Sequence, residues 1–119
     1  MISENLERII KELPHGVRLV AVSKFHPLSE ILEAYAVGQM AFGENRPQEF
    51  AKKVEELKDL SDLEFHFIGH LQTNKLKLVL PYAWIVESVD TEHLLDAIET
   101  WGDRNERSTR ILLEVHIGA

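Results

Sequence analysis

The sequence contains no cysteine among its 119 residues, which excludes a disulfide framework, a thiolate nucleophile and a cysteine-based metal site. Its apolar runs are too short to span a bilayer, and its first residues lack the basic-then-apolar order of a signal peptide. Taken together, these absences predict a cytoplasmic protein that does not associate with membranes.

Basic residues are also in the minority, with 13 Lys and Arg against 20 Asp and Glu and a net charge of −7. Contacts to nucleic-acid phosphates need clustered Lys and Arg, so this balance argues against a general nucleic-acid binder. One small anionic ligand could still bind in a locally positive pocket. The hydrophobic share of 45% and the charged share of 28% are those of an ordinary globular domain with a core.

Helix-like and strand-like segments alternate along the whole chain. The predicted helices are residues 1–13, 27–37, 47–57, 74–80 and 91–101, and the predicted strands are residues 18–24, 40–45, 65–69, 84–90 and 110–118. The strands read as nearly continuous apolar runs and the connections are short. This pattern predicts repeated βαβ units, and therefore an α/β fold built on a parallel sheet.

Two architectures fit this alternation, an open doubly wound sheet and a TIM-type (β/α) barrel. A doubly wound nucleotide-binding sheet usually has a glycine-rich turn after its first strand, and residues 24–27, KFHP, contain no glycine. The barrel is therefore favoured, and a complete one needs about 250 residues. We expect residues 1–119 to form a single partial (β/α)-barrel domain of about five βα units with an N-terminal helix.

Polar or small residues end every predicted strand: Ser23 and Lys24; Gly43, Glu44 and Asn45; Gly69 and His70; Glu87, Ser88 and Asp90; His116 and Gly118. The carboxyl ends of parallel strands meet at one rim, where ligands bind in both architectures. The sequence therefore predicts a ligand site at this rim.

Lys24 has two interpretations at the end of its apolar strand. Its stem could pack while its amine reaches water, as lysines at strand ends commonly do. Alternatively, the mouth of an apolar barrel could desolvate the amine and favour the neutral form that attacks an aldehyde to give a Schiff base.

Several other polar residues have less specific interpretations. His66 and His70 are four apart on a predicted strand with Glu64 in phase, and His116 repeats the pattern with Glu114. Hydrogen-bonded histidines are favoured here over a metal site, because no third ligand stands at a known zinc spacing.

Predictions also follow for two lysines, a helix cap and the two tryptophans. Lys52 and Lys53, beside glutamates, are expected on a solvated helix face. Asp90 is a candidate cap for the helix that follows it, and Trp84 and Trp101 are expected to pack in the core or against helices.

Four segments of the sequence resemble the pyridoxal-phosphate homeostasis protein family. They are residues 21–24 (AVSK), 42–45 (FGEN), 48–49 (QE) and above all 66–75 (HFIGHLQTNK); residues 88–90 and 113–118 are also similar. These proteins are small, single-domain relatives of the alanine racemase barrel. The resemblance runs from about the first strand to the last residue and implies that the chain is the N-terminal portion of such a protein.

The resemblance implies a binding site for pyridoxal 5′-phosphate. In the family the lysine that ends the first strand forms a Schiff base with the cofactor, which here is Lys24. Asn45 would lie beside the cofactor ring, and His70 and Asn74 would be polar contributors from a loop covering the same rim. The family is a non-catalytic carrier in vitamin B6 homeostasis. Its phosphate grip lies on later strands, so we expect weakened binding by this chain.

Two other functions remain open. A racemase-like enzyme would need a second acid or base opposite Lys24, typically from another domain. A folded fragment with a vestigial site would only self-associate. In an open half-barrel the first and fifth strands are edges, leaving Val20, Val22, Leu113 and Val115 partly uncovered. Such edges pair readily with another chain, so a homodimer through the sheet edges is expected.

Overall fold

The structure, a computed structural model, describes residues 2–115 and residue 117. Its helices are α1 (Ile2–Glu12), α2 (Leu28–Ala36), α3 (Pro47–Glu56), α4 (Leu76–Val79) and α5 (Glu92–Asn105), and a 3₁₀ turn (Thr73–Lys75) leads into α4. Its strands are β1 (Ala21–Val22), β2 (Ala41–Glu44), β3 (Glu64–Phe67), β4 (Ile85–Val89) and β5 (Ile111–Leu113). The predicted alternation of helix and strand is confirmed.

The five strands form one parallel sheet in the order β1-β2-β3-β4-β5. Each strand pairs with the next strand along the chain, so the described residues contain no point at which the strand order reverses, as it does in a doubly wound sheet. The parallel α/β class is confirmed. β1 and β5 are the two edges of the sheet, which is open.

The edge strands are shorter than the sequence predicts. The prediction places strands over residues 18–24 and 110–118, whereas the hydrogen-bonded ladders cover only Ala21–Val22 and Ile111–Leu113. Apolar residues indicate which part of the chain is buried, whereas a strand is defined by backbone hydrogen bonds to a neighbouring strand. An edge strand has only one such neighbour, so its apolar segment extends past the residues that are paired. His116 and Gly118 of the predicted strand lie outside the described residues.

Helix α5 differs from its prediction at both ends. It starts after Thr91, whose hydroxyl oxygen accepts a hydrogen bond from the Leu94 N–H at 3.1 Å, so Thr91 and not Asp90 is the cap. The helix continues past its predicted end at Trp101, and Gly102 lies inside it at a point of close packing. A Cβ at Gly102 would lie 2.6 Å from the Arg107 carbonyl oxygen. Glu106, in the left-handed conformation, ends the helix.

The core lies between the helices and the face of the sheet that carries Phe42, Phe65 and Phe67. The ring of Phe50, from α3, meets Phe65 and Phe67 edge to face with centroids 5.9 and 5.8 Å apart. Trp101 is half-buried against this core, and Trp84 is half-buried outside it.

The predicted uncovering of apolar residues near the sheet edges is confirmed. Val22 is 50% exposed, Leu113 64% and Val115 73%, and Val20 is half-buried. Within the described residues, no helix is both long enough and apolar enough to cross a membrane.

Candidate functional site

Lys24 lies on a tight turn that follows β1. The Ser23 N–H continues the ladder by donating to the Gly43 carbonyl at 2.9 Å, and the His26 N–H donates back to the Ser23 carbonyl at 3.0 Å. Between them, Phe25 has a φ of 64°, in the left-handed region that aromatic residues seldom adopt. The chain therefore reverses direction around Lys24 at the carboxyl end of the sheet.

The Lys24 side chain is exposed, which agrees with the first of its two interpretations, an amine that reaches water, and contradicts the second, a desolvated amine. The physical reason is its position after an edge strand, where no neighbouring strand covers the outer side of the turn. Among residues 2–115 and 117, no hydrogen bond or ion pair involves its ammonium group. An amine that is accessible and unpaired can reach a small molecule in solution.

Behind this turn lies a buried ionic network that joins β1, β2 and α3. The Lys53 ammonium donates to the Ser23 carbonyl oxygen at 2.6 Å and to Glu44 Oε2 at 2.9 Å, and pairs with Glu49 Oε1 at 2.9 Å. The Ser23 hydroxyl also donates to Glu44 Oε2. Glu44 is fully buried and Lys53 is 7% exposed.

The predicted solvated face is therefore wrong for Lys53 and right for Lys52, which is exposed. Lys53 follows the buried Phe50 by three positions and precedes the buried Leu57 by four, so it lies on the inward stripe of α3. This spacing is the feature of the sequence that could have predicted the burial of Lys53. A cation on an apolar stripe needs a buried partner, and Glu44 ends a fully buried strand.

Glu49 connects α3 directly to the turn. Its Oε1 accepts the Phe25 N–H at 2.9 Å as well as pairing with Lys53. The hydrogen bond from Lys53 is the main cause that lowers the pKa of Glu49 below its ordinary value of 4.5, with partial burial opposing it. The Phe25 N–H and the charges of Lys53 and Arg46 lower the pKa further, so the carboxylate stays ionised at neutral pH.

Asn45 lies at the end of β2, next to the end of β1 in the sheet. Its side-chain oxygen is buried and has no hydrogen-bond partner among the described residues. Gly69, after β3, packs directly on it, since a Cβ at Gly69 would lie 2.3 Å from the Asn45 carbonyl oxygen. The Ser88 hydroxyl of β4 donates to the Gly69 carbonyl. The ends of β2, β3 and β4 are thus joined at one rim.

His70 and Asn74 lie on the loop that continues from Gly69, and both are exposed. His70 lines a cleft of ≈ 250 Å³ together with Pro47, Gln48, Gln72 and Lys75. The two clefts beside the Lys24 turn, of ≈ 170 and ≈ 340 Å³, are lined by other residues. The structure brings Lys24 and Asn45 to neighbouring strand ends and leaves His70 in a separate cleft.

His66 and His70 do not share a face, because β3 ends at Phe67 and His70 lies beyond it. His66 is buried, with its Nδ1 2.8 Å from Glu87 Oε1 and its ring stacked on Trp84 at 5.1 Å. The hydrogen-bonded histidine is confirmed at His66. The part of the chain that the structure describes holds no group of three or more residues suited to a metal ion. His116, the partner predicted for Glu114, lies outside that part.

A scan of the chain against protein-family models finds no match. Among curated proteins, the pyridoxal phosphate homeostasis protein of Aquifex aeolicus is 42% identical over 123 residues, covering 98% of this chain and 54% of that protein. The human protein of the same name is 35% identical over 127 residues, covering 98% of this chain and 46% of its own length. The chain therefore spans about half the length of the curated relatives it matches.

Two solved structures also match the chain over about half of their own length. PipY of Synechococcus elongatus, determined with PLP bound, superimposes with a TM-score of 0.94 at 41% identity, covering 99% of this chain and 56% of PipY. The structure of PipY without PLP gives a TM-score of 0.94 at 40% identity, covering 100% of this chain and 55% of PipY. The partial coverage fits an N-terminal portion.

Proposed function

We propose that this chain belongs with the pyridoxal phosphate homeostasis proteins, which it matches over about half their length, and that it shares their function. In this proposal the chain is the part of a non-catalytic, cytoplasmic carrier that holds pyridoxal 5′-phosphate covalently. The observation that carries the proposal is the accessible amine of Lys24 on a turn that neighbouring residues hold in place.

The residues at the rim fit this cofactor. It supplies an aldehyde, and the Lys24 amine nitrogen would form a C=N bond to the aldehyde carbon while the aldehyde oxygen leaves as water. Asn45, at the next strand end, has a buried side-chain oxygen with no partner in the part of the chain that the structure describes, and this oxygen can accept a hydrogen bond from a bound polar group. These two residues support a Schiff base on Lys24 with Asn45 beside the ring.

We further propose that His70 and Asn74 contribute polar contacts from the loop after β3. The support is positional, since this loop begins at Gly69, which packs against the Asn45 backbone. In the structure described here both side chains are exposed, and His70 faces a cleft that does not include Lys24. Their contribution would therefore be smaller than that of Lys24.

We also propose that the open sheet is the first five βα units of a TIM-type barrel and that residues 1–119 form one partial domain. Consecutive strand order and two open edges support this. In such barrels the phosphate site is built by the loops after strands seven and eight, so this chain would bind the cofactor more weakly than a complete barrel.

A visible absorbance titration with pyridoxal 5′-phosphate tests the proposal on three chains: wild type, Lys24→Ala and Lys77→Ala. Lys77 is an exposed lysine on α4 and serves as a control for adventitious reaction with surface amines. We expect a saturable Schiff-base band in the wild type and in Lys77→Ala, and its loss in Lys24→Ala. Equal, non-saturating spectra for all three chains would refute the proposal and leave a folded remnant of the family.

A further inference from the structure

We propose that Lys53 is a positioning residue that holds the turn bearing Lys24 in the conformation that presents its amine to an aldehyde. This inference rests on the proposed function and extends it to a residue that does not touch the cofactor. It is carried by the contacts of Lys53, by the conformation of Phe25 and by the burial of Glu44.

The three donors of the Lys53 ammonium group match three acceptors around it. They are the Ser23 carbonyl oxygen at 2.6 Å, Glu44 Oε2 at 2.9 Å and Glu49 Oε1 at 2.9 Å. An ammonium group has three N–H donors and no acceptor, so each donor has one partner. The side chain of Lys53 is 9% exposed and is therefore not available to an aldehyde in solution.

The acceptors of Lys53 flank Lys24 on both sides. Ser23 precedes Lys24, and its carbonyl is bonded directly to Lys53. Phe25 follows Lys24, and its N–H donates to Glu49, which Lys53 holds in place. One buried cation therefore anchors the residues before and after the exposed lysine.

The conformation at Phe25 shows why an anchor is needed. A φ of 64° is unfavourable for an aromatic residue and persists only where its surroundings enforce it. The Glu49 hydrogen bond and the Arg46 guanidinium, 4.5 Å from the centroid of the Phe25 ring, are the enforcing contacts. Without Lys53, Glu49 loses its main partner and the Ser23 carbonyl loses a donor, so the turn is free to relax.

The test must separate loss of position from loss of folding. Removing Lys53 alone leaves the buried charge of Glu44 without its cationic partner, which can unfold the chain. The variant to use is therefore the pair Lys53→Met with Glu44→Gln, which removes both charges and keeps an amide oxygen for the Ser23 hydroxyl. Lys52→Met, one position earlier on α3 and exposed, is the matched control.

Three measurements are made on each chain: urea unfolding, amide hydrogen exchange of Phe25 and His26, and borohydride trapping of pyridoxal 5′-phosphate followed by peptide mapping of Lys24. We expect the double variant to fold cooperatively, with about tenfold faster exchange at these two amides and about tenfold less trapping at Lys24. Lys52→Met should match the wild type in all three measurements.

Unchanged exchange in the folded double variant would show that Lys53 does not hold the turn and would overturn the inference. Faster exchange with unchanged trapping would also overturn it, because the conformation of the turn would then not matter for capture. If the wild type itself traps nothing at Lys24, the proposed function fails and the role of Lys53 in capture fails with it. The exchange data would then show separately whether Lys53 anchors the turn.

Discussion

At the scale of single residues, Lys24 and Lys53 show that lysine side chains have two different environments in this structure. Lys24 has an exposed amine with no partner among the described residues, whereas Lys53 has a buried amine with three. The sequence places Lys24 at a strand end and leaves open whether its amine is exposed or desolvated; the structure shows it exposed. For Lys53 the sequence predicts the wrong environment, because charge patterning on a helix does not reveal a buried carboxylate on a neighbouring strand.

Gly69 is the residue on which the contact between two strand ends depends. A Cβ there would lie 2.3 Å from the Asn45 carbonyl oxygen, which is backbone and cannot rotate away. We predict that Gly69→Ala lowers the free energy of unfolding by about 2 kcal/mol, the order of an overpacked core site. Urea unfolding measures this change.

Gly43→Ala is the matched control for this prediction, because its added Cβ would meet Ile68 Cδ1, the end of a flexible side chain, at 3.0 Å. We expect it to cost less than Gly69→Ala. Equal losses of stability in the two variants would show that the Gly69–Asn45 contact is not the critical one.

At the scale of elements, the order of helices and strands follows from hydrophobic periodicity and is confirmed in the structure. Element ends are less well predicted, since they depend on tertiary contacts. The helix predicted to end at Trp101 continues to Asn105, and Gly102 lies inside it, where the absence of a side chain makes room for the Arg107 carbonyl. β1 and β5 are short because ladder pairing, which a sequence does not display, decides where an edge strand ends.

The contact between α3 and the turn after β1 should depend on pH through Glu49. Its pKa is lowered in the folded state, chiefly by the hydrogen bond from Lys53. The stability it contributes is therefore fully present above its ordinary pKa of 4.5 and is lost as the pH falls through the lowered folded value. We predict that Glu49→Gln removes about 1 kcal/mol of this acid-sensitive stability.

Urea unfolding as a function of pH measures the acid-sensitive stability that Glu49 contributes, and Glu55→Gln is the control. Glu55 is on the same helix and pairs with the exposed Lys58, an arrangement of little energetic value. The acid slope should flatten in Glu49→Gln and stay unchanged in Glu55→Gln. Identical slopes in wild type and Glu49→Gln would contradict the role of Glu49.

At the scale of the whole molecule, the chain is an open parallel sheet that matches about half the length of its relatives. Parallel sheets are normally covered on both faces, and here apolar residues remain exposed near both edges, with Val22 at 50% and Leu113 at 64%. The sequence predicts this arrangement because it contains too few strands to close a barrel. It could not predict which side chains at the rim meet, since that depends on the packing of loops such as the one at Gly69.

We predict that two copies of this chain associate through the sheet edges, because unpaired backbone groups and exposed apolar side chains favour added strands. Sedimentation equilibrium should give a mass that rises with concentration. Val22→Lys, on the edge strand β1, should shift the equilibrium to the monomer. Leu32→Lys, on α2 and 44% exposed, should leave it unchanged. A monomer mass for the wild type at every concentration would refute the prediction.

The central claim is that the Lys24 amine captures the aldehyde of pyridoxal 5′-phosphate. The most direct measurement is borohydride reduction of the chain with a stoichiometric amount of the cofactor, followed by mass spectrometry of the peptides. The account predicts that the reduced adduct maps to Lys24 in preference to other lysines, and that Lys24→Ala leaves only scattered low-level labelling. An adduct spread evenly over exposed lysines such as Lys52 and Lys77 would contradict it.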